Sequence, residues 1–278
     1  TVSQFAEALR SEGVGPGDRV AGFLPNMPEA IISMLAAVSI GATWSSCSPD
    51  FGSQGVLDRF GQIEPKVLIS CDGYYYNGKV HDIRMKTANL IKQISSIRRV
   101  VIVPYVKAEP DIKLIPNAVK FSDYILDFKP GEISFEQMPF DHPLYILYSS
   151  GTTGQPKCIV HEAGGILLKH AVEQAVQFSV GPGSRVFWFT TLGWMMWNWL
   201  VSNLAWGATL LLYDGSPFYP GGNVIWNFAA EERMTLFGTS AKYIDACKKA
   251  ELKPIETHDL SALRSIGSTG SALLPEGF

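Results

Sequence analysis

The feature that most restricts the fold is a regular alternation of short apolar runs with longer segments of helical spacing. The runs Arg19–Leu24, Ala42–Ser46, Lys66–Cys71 and Arg99–Val103 have the length of strands. Between them lie Pro28–Ile40, Ser53–Ile63 and Ile83–Ser95, whose apolar residues recur at three- and four-residue spacing. Lys66–Cys71 is apolar without alternation, as expected of a strand covered on both faces of a parallel sheet. Pro28 and Gly41 bracket one helix in the usual order. The chain opens on another, Thr1–Glu12, with Val2, Phe5, Ala8 and Leu9 on one side and Thr1 and Gln4 spaced for a capping box. The prediction is an α/β fold, doubly wound, with mostly parallel sheets and flanking helices.

The rhythm breaks at 104–142, which carries Pro104, Pro110, Pro116, Pro130 and Pro139 with little periodicity. A stretch of that length without regular structure marks a functional excursion or a junction, so an internal boundary is expected there. Alternation then resumes: strand Pro143–Leu147, helix Gly164–Phe178, strand Arg185–Thr190, helix Trp194–Ala205 and strand Thr209–Tyr213. It continues with helix Val224–Arg233, strand Thr235–Phe237, helix Lys242–Ala250 and strand Leu263–Ile266. With 278 residues, 46% of them hydrophobic, the chain can bury one large core or two modest ones.

A net charge of −3 gives no reason to expect nucleic acid or an anionic membrane as a partner. No run reaches the length of a membrane span and no signal sequence opens the chain. The cysteines, Cys47, Cys71, Cys158 and Cys247, lack metal-ligand spacing and read as reduced, buried thiols of a cytoplasmic protein. The histidines do not cluster either, so no metal site is assigned to side chains.

Chemistry concentrates in Tyr148-Ser149-Ser150-Gly151-Thr152-Thr153-Gly154-Gln155-Pro156-Lys157. The sequence places this loop between a parallel strand and the next helix, the edge where open α/β sheets receive ligands. Gly151 and Gly154 let backbone N–H groups approach phosphate oxygens, the hydroxyls of Ser149, Ser150, Thr152 and Thr153 donate further bonds, and Lys157 adds a compact positive charge. It is not a Walker A loop, since Pro156 and Cys158 flank the lysine where that motif needs Gly and Ser or Thr. Gly13-Val14-Gly15 leads into a strand and so does not make a dinucleotide fingerprint. His161 reads as a phosphate donor, a carboxylate donor or a structural histidine. Gly267–Ala272 is a second small-residue loop at a strand end, expected on the same sheet edge as the first.

The ten-residue pattern resembles the phosphate-binding signature of the adenylate-forming superfamily, which includes the acyl-CoA synthetases. Within that family the chain looks most like the acetoacetate-activating branch. The matching stretches are Trp44–Gly52, Gly55–Phe60, Tyr76–Lys79, Pro156–His161, with Cys158 in place of the superfamily's Gly, Gly193–Trp199 and Tyr213–Pro217. The resemblance implies activation of acetoacetate by ATP through an acyl-adenylate, release of pyrophosphate, and transfer to coenzyme A with loss of AMP. A general short-chain acyl-CoA synthetase and a nucleotide-binding module without complete catalysis are the alternatives.

By resemblance, Thr152 and Lys157 are catalytic and Ser149, Ser150, Gly151, Thr153 and Gly154 complete the phosphate cradle. Gly270, Ser271 and Ala272 lie along the adenine. Trp194, Met195, Asn198, Gly238 and Thr239 line the acyl pocket, although most of the Trp194–Trp199 stripe reads as core. Mg²⁺ would accompany ATP. The Glu that holds it, the ribose-binding Asp and the C-terminal lid domain are expected beyond residue 278. The chain therefore reads as a partial AMP-binding N-terminal domain, by itself inactive or nearly so.

Overall fold

Val67–Cys71 is buried at every position and lies in the middle of a seven-stranded sheet. The coordinates are a computed structural model, and the structure describes residues 1–149 and 154–277. Two compact units share them. The first comprises Thr1–Tyr75, Val80–Ile166 and Thr191–Trp194; the second comprises Tyr76–Lys79, Leu167–Thr190 and Met195–Phe278.

In chain order the elements are α1 (Val2–Ser11), β1 (Arg19–Phe23), α2 (Pro28–Ser39), β2 (Thr43–Cys47), α3 (Ser53–Ile63) and β3 (Val67–Cys71). Then come β4 (Gly73–Tyr76), β5 (Lys79–Asp82), α4 (Arg84–Gln93), β6 (Arg99–Val103), β7 (Ala118–Lys120) and α5 (Phe121–Ile125). They are followed by β8 (Pro143–Tyr148), β9 (Cys158–Glu162) and α6 (Ala163–Ala171). The large sheet runs β7-β6-β3-β1-β2-β8-β9, parallel throughout except for the antiparallel β8–β9 pair. The doubly wound, mostly parallel architecture is therefore present. Its centre depends on one close approach. A Cβ on Gly22 would sit 2.6 Å from the indole of Trp44, the register neighbour of Val20, so only glycine leaves that fully buried ring its place.

The proline-rich stretch packs within the first unit. β7 pairs with β6, and Phe121 stacks on Phe5 of α1 at 5.1 Å. Glu136 N–H donates to Ser39 O. Asp72, buried at the end of β3, accepts backbone N–H bonds from Tyr105, Val106 and Lys107 at 2.8–3.0 Å and so ties the segment to the sheet. All of 104–142 lies in the first unit, and the chain passes between the units at several points, among them after Ile166. The expected capping box does not form. Thr1 makes no side-chain cap, and Gln4 Nε2 donates to Phe128 O at 2.8 Å.

In the second unit α6 continues as a π-helical turn, Val172–Gln177. Next come β10 (Arg185–Trp188), α7 (Met195–Ser202) with a 3₁₀ turn, β11 (Thr209–Leu211), α8 (Val224–Glu231), β12 (Leu236–Ser240), α9 (Ala241–Lys249), α10 (Pro254–Thr257) and β13 (Ser265–Thr269). The strands form an all-parallel sheet ordered β11-β10-β12-β13. One face carries Phe187, Phe237, Trp226 and Tyr243, the other Val186, Trp188, Leu236, Trp199 and Leu200. The π turn places fully buried Gln174 against α7. Gln174 donates to Trp199 O at 2.6 Å and accepts from Trp206 Nε1 at 2.8 Å. Among the described residues no helix is long and apolar enough to cross a membrane.

Trp188 acts as a wedge in this sheet. Gly238 and Gly267 are register partners on β12 and β13. A Cβ on Gly238 would overlap the Trp188 indole, and one on Gly267 would lie 2.8 Å from it. A tryptophan cannot yield as a flexible chain end does, so Gly238→Ala should destabilise the chain by about 2–3 kcal/mol. That corresponds to a melting temperature roughly 5–10 °C lower, with Gly267→Ala milder. Thermal and urea unfolding of the two variants measure the order.

Candidate nucleotide site

β8 is placed by its parallel pairing with β2, through Trp44↔Tyr145 and Ser45↔Ile146. Tyr145, Ile146 and Leu147 are buried. At the strand's end Tyr148 OH lies 2.9 Å from Ser45 Oγ, which itself donates to Ile146 O at 2.9 Å. Burial pushes the Tyr148 and Tyr145 hydroxyls well above their ordinary range, so both stay neutral, Tyr148 beside Ser45 and Tyr145 without a hydrogen-bond partner among the described residues.

The chain does not pass from this strand into a helix. It turns back as β9, antiparallel to β8, with Tyr148↔Cys158 and Ile146↔Val160. The polar loop is therefore the turn of a hairpin, and α6 begins only at Ala163. β9 is an edge strand of five mostly exposed residues, and its short Cys-Ile-Val-His-Glu run carries no buried stripe by which sequence periodicity would show it.

Two bonds close the base of the loop. Ser149 N–H donates to Lys157 O at 3.0 Å, and Lys157 N–H donates to Ser149 Oγ at 3.0 Å. Gly154 takes a φ of +148°, where side-chain-bearing residues are strained. Lys157 is exposed and, among the described residues, in no ion pair. Ser150, Gly151, Thr152 and Thr153 lie outside the described residues. Helix α3 adds contacts that sequence patterning does not reveal. Gln62 Nε2 donates to Pro156 O at 2.8 Å, and the Arg59 guanidinium lies 5.6 Å from the centre of the Tyr148 ring. No spacing rule joins positions 94 residues apart.

The second glycine-rich loop follows β13, which belongs to the four-stranded sheet, so the two loops do not share one sheet edge as expected. Gly270 has a φ of +88° with nothing near its Cβ position, and Ser271 and Ala272 are exposed. Gly267 instead makes room for Trp188.

The tryptophan stretch divides. α7 starts at Met195, so Trp194 does not share a helical face with Trp197 and Asn198. It is exposed, next to Gly193, whose Cβ position is 3.1 Å from Ser46 O. Trp197 and Trp199 are buried, and Trp199 meets Trp188 edge-to-face at 5.1 Å and donates to Glu173. Met195 packs against the same cluster. Asn198 is 2% exposed and Thr239 is 1% exposed, and among the described residues neither side-chain atom of Asn198 nor the Thr239 hydroxyl has a hydrogen-bond partner. Alternation along β12 puts Gly238 on the Trp188 face, which α7 also covers, and Thr239 on the Phe237 face. Gly238 is filled by Trp188 on its side-chain side, so it serves packing there.

Two further readings are settled by burial. Cys47, Cys71 and Cys247 are buried, but Cys158 is exposed on the edge strand. His161 packs its ring 5.0 Å from that of Tyr145, and burial lowers its pKa below the ordinary value, which favours the structural reading. The lowered value means that protonation opposes folding. The contribution is fully favourable above the ordinary histidine range and is lost as pH falls toward the folded-state pKa. His161→Phe should flatten part of the decline in melting temperature below about pH 6.5, the ordinary histidine value. Paired pH–melting curves check it.

The model of the AMP-binding enzyme family matches residues 1–277. The acetoacetyl-coenzyme A synthetase of Rhizobium meliloti (strain 1021) is 58% identical over 280 residues, covering 100% of this chain and 42% of that protein. The Danio rerio acetoacetyl-CoA synthetase is 47% identical over 283 residues, with the same coverage. The solved acetoacetyl-CoA synthetase from Streptomyces lividans superposes with a TM-score of 0.93 at 47% identity, over 99% of this chain and 42% of that one. The chain thus spans 42% of the length of these relatives. With the family model matched from Thr1 to Gly277 and the signature loop set on a parallel strand, the chain belongs to the AMP-binding enzyme family.

Proposed function

We propose that this chain forms the phosphate- and adenine-binding part of a ligase that activates acetoacetate with ATP and passes it to coenzyme A. The observation that carries the reading is the closed base of the signature loop, which presents Lys157 exposed and, among the described residues, in no ion pair at the end of β8. The names of the matched relatives support acetoacetate as the acid.

In the reaction an acetoacetate carboxylate oxygen attacks the α-phosphorus of ATP and the bond to pyrophosphate breaks. The sulfur of coenzyme A then attacks the acyl carbon and AMP leaves with the bonding electrons. A carboxylate oxygen leaves badly from carbon, whereas AMP leaves well, which is the reason for the first step. Protein groups act by position and charge. Lys157, Thr152 and the hydroxyls and N–H groups of Ser149, Ser150, Gly151, Thr153 and Gly154 would take the phosphates. Gly270, Ser271 and Ala272 would lie along the adenine. Mg²⁺ would accompany ATP and offset the charge of its phosphates.

For the acid, Trp194 and Met195 supply apolar area, and Asn198 and Thr239 supply unpaired polar atoms. A buried unpaired polar group costs about 1–3 kcal/mol, and a ligand that pairs it recovers that cost. The keto oxygen of acetoacetate accepts a hydrogen bond, and butyrate has no such oxygen.

Two outcomes test this in a polypeptide that carries the chain together with the remaining length of the relatives. Lys157→Ala should slow acid-dependent ATP–pyrophosphate exchange about 10²–10³-fold with an unchanged melting curve, and Lys157→Arg should recover only part of it. Asn198→Leu should melt no lower than wild type, because it removes two unpaired buried atoms. It should also cut the preference for acetoacetate over butyrate, read as kcat/KM, by at least about tenfold. Thr239→Val is the matching test on β12. If neither change moves the ratio, or if butyrate or acetate matches acetoacetate in the unaltered protein, the acid is not acetoacetate and a general short-chain ligase takes its place.

A further inference from the structure

We infer that helix α3 fixes the base of the signature loop and that Gln62 is the residue that positions Lys157; this rests on reading the loop as the phosphate site. Three observations on one helix face carry the inference. Gln62 Nε2 donates to Pro156 O at 2.8 Å, and to Asp58 O within α3 at 2.5 Å. Its Oε1 accepts from Cys158 Sγ at 3.7 Å. Three residues earlier, the Arg59 guanidinium lies 4.9 Å from the centre of the Phe51 ring and 5.6 Å from that of Tyr148, with Nη1 anchored on Gly55 O at 2.7 Å. One helix therefore grips both ends of the loop, the entering end at Tyr148 and the leaving end at Pro156 and Cys158.

The chemistry suits glutamine. Pro156 offers a carbonyl and no N–H, so its partner must donate. Cys158 offers a weak S–H donor, so its partner must accept. A side-chain amide does both from one planar group. The Pro156 carbonyl belongs to the peptide that joins Lys157, so its orientation sets the direction from which the lysine leaves the chain. β9 is the outermost strand, and among the described residues no strand pairs with its far side to do this. α3 is itself fixed, with Val56, Phe60 and Ile63 buried and its C-terminus closed at Glu64 in the left-handed region, φ +48°. Gln62 is exposed, so its removal leaves the core untouched and acts on the loop.

The test uses a polypeptide that carries the chain together with the remaining length of the relatives, with ATP as the probe. Gln62→Met keeps the length of the side chain without its polar atoms, and Gln62→Asn keeps the amide one methylene too short to reach. In both, amide exchange in the peptide spanning 149–158 should rise about tenfold, while exchange in β1–β3 and the melting temperature stay at wild-type values. The Kd for ATP, by calorimetry, should rise about tenfold as the lysine loses its direction. Wild-type exchange in the loop peptide overturns the inference. So does a rise shared equally by the core strands, or a variant that does not fold, since either makes Gln62 a global stabiliser. A wild-type chain that binds no ATP removes the nucleotide reading, and loop exchange then decides the positioning role on its own.

Discussion

The candidate site hangs on the parallel pairing of β8 with β2. Trp44 and Ser45 are the β2 residues that face Tyr145 and Ile146, and each is fixed for its own reason. Trp44 is fully buried against the open side of Gly22. Ser45 spends its hydroxyl on Ile146 O and lies beside the Tyr148 hydroxyl. The end of β8 is thus held by a ring, a pairing register and a buried hydroxyl pair before the loop begins. The two bonds between Ser149 and Lys157 inherit that position. A loop of small polar residues has little apolar area with which to order itself, so its geometry is borrowed from the strand that enters it.

What sequence reading could reach follows from what each element buries. β1, β2, β3 and β6 are covered on both faces; apolar runs locate β1, β3 and β6 to within a residue or two, and β2, although it carries two serines, is found by its place in the alternation. β7 and β9 are sheet edges with partly or wholly exposed side chains, so no buried stripe marks them. The β4–β5 hairpin carried a signal that periodicity does not weigh. Asn77 and Gly78 both adopt positive φ, 48° and 70°, as a tight two-residue turn requires, and Asn-Gly is the usual pair for it. The π turn after α6 had none, because it depends on where Gln174 must reach on α7.

The same division runs through the site. Glycines, hydroxyls and a lysine in one short stretch are legible because the loop's chemistry is local. Its supports are not, because Gln62 and Arg59 come from a helix far earlier in the chain and look in sequence like ordinary exposed helix residues. The aromatic stretch was legible in the same way as the loop. Its helical spacing reads mostly as core, and Trp197 and Trp199 are buried while Trp194 stands exposed.

β12 shows why pocket and packing are hard to separate in such a chain. Its residues alternate between two cores, so consecutive positions do unlike work. Gly238 is small because Trp188 from β10 lies across it and across Gly267. Thr239, one residue on, keeps a buried hydroxyl with no partner on the opposite face. A Gly-Thr pair read as one lining stretch is therefore two devices, one steric and one polar. Asn198 comes from α7 and Thr239 from β12, and each keeps polar atoms without a hydrogen-bond partner among the described residues. Separate substitutions at Asn198 and Thr239 thus report which of the two the acid meets, which a joint substitution would hide.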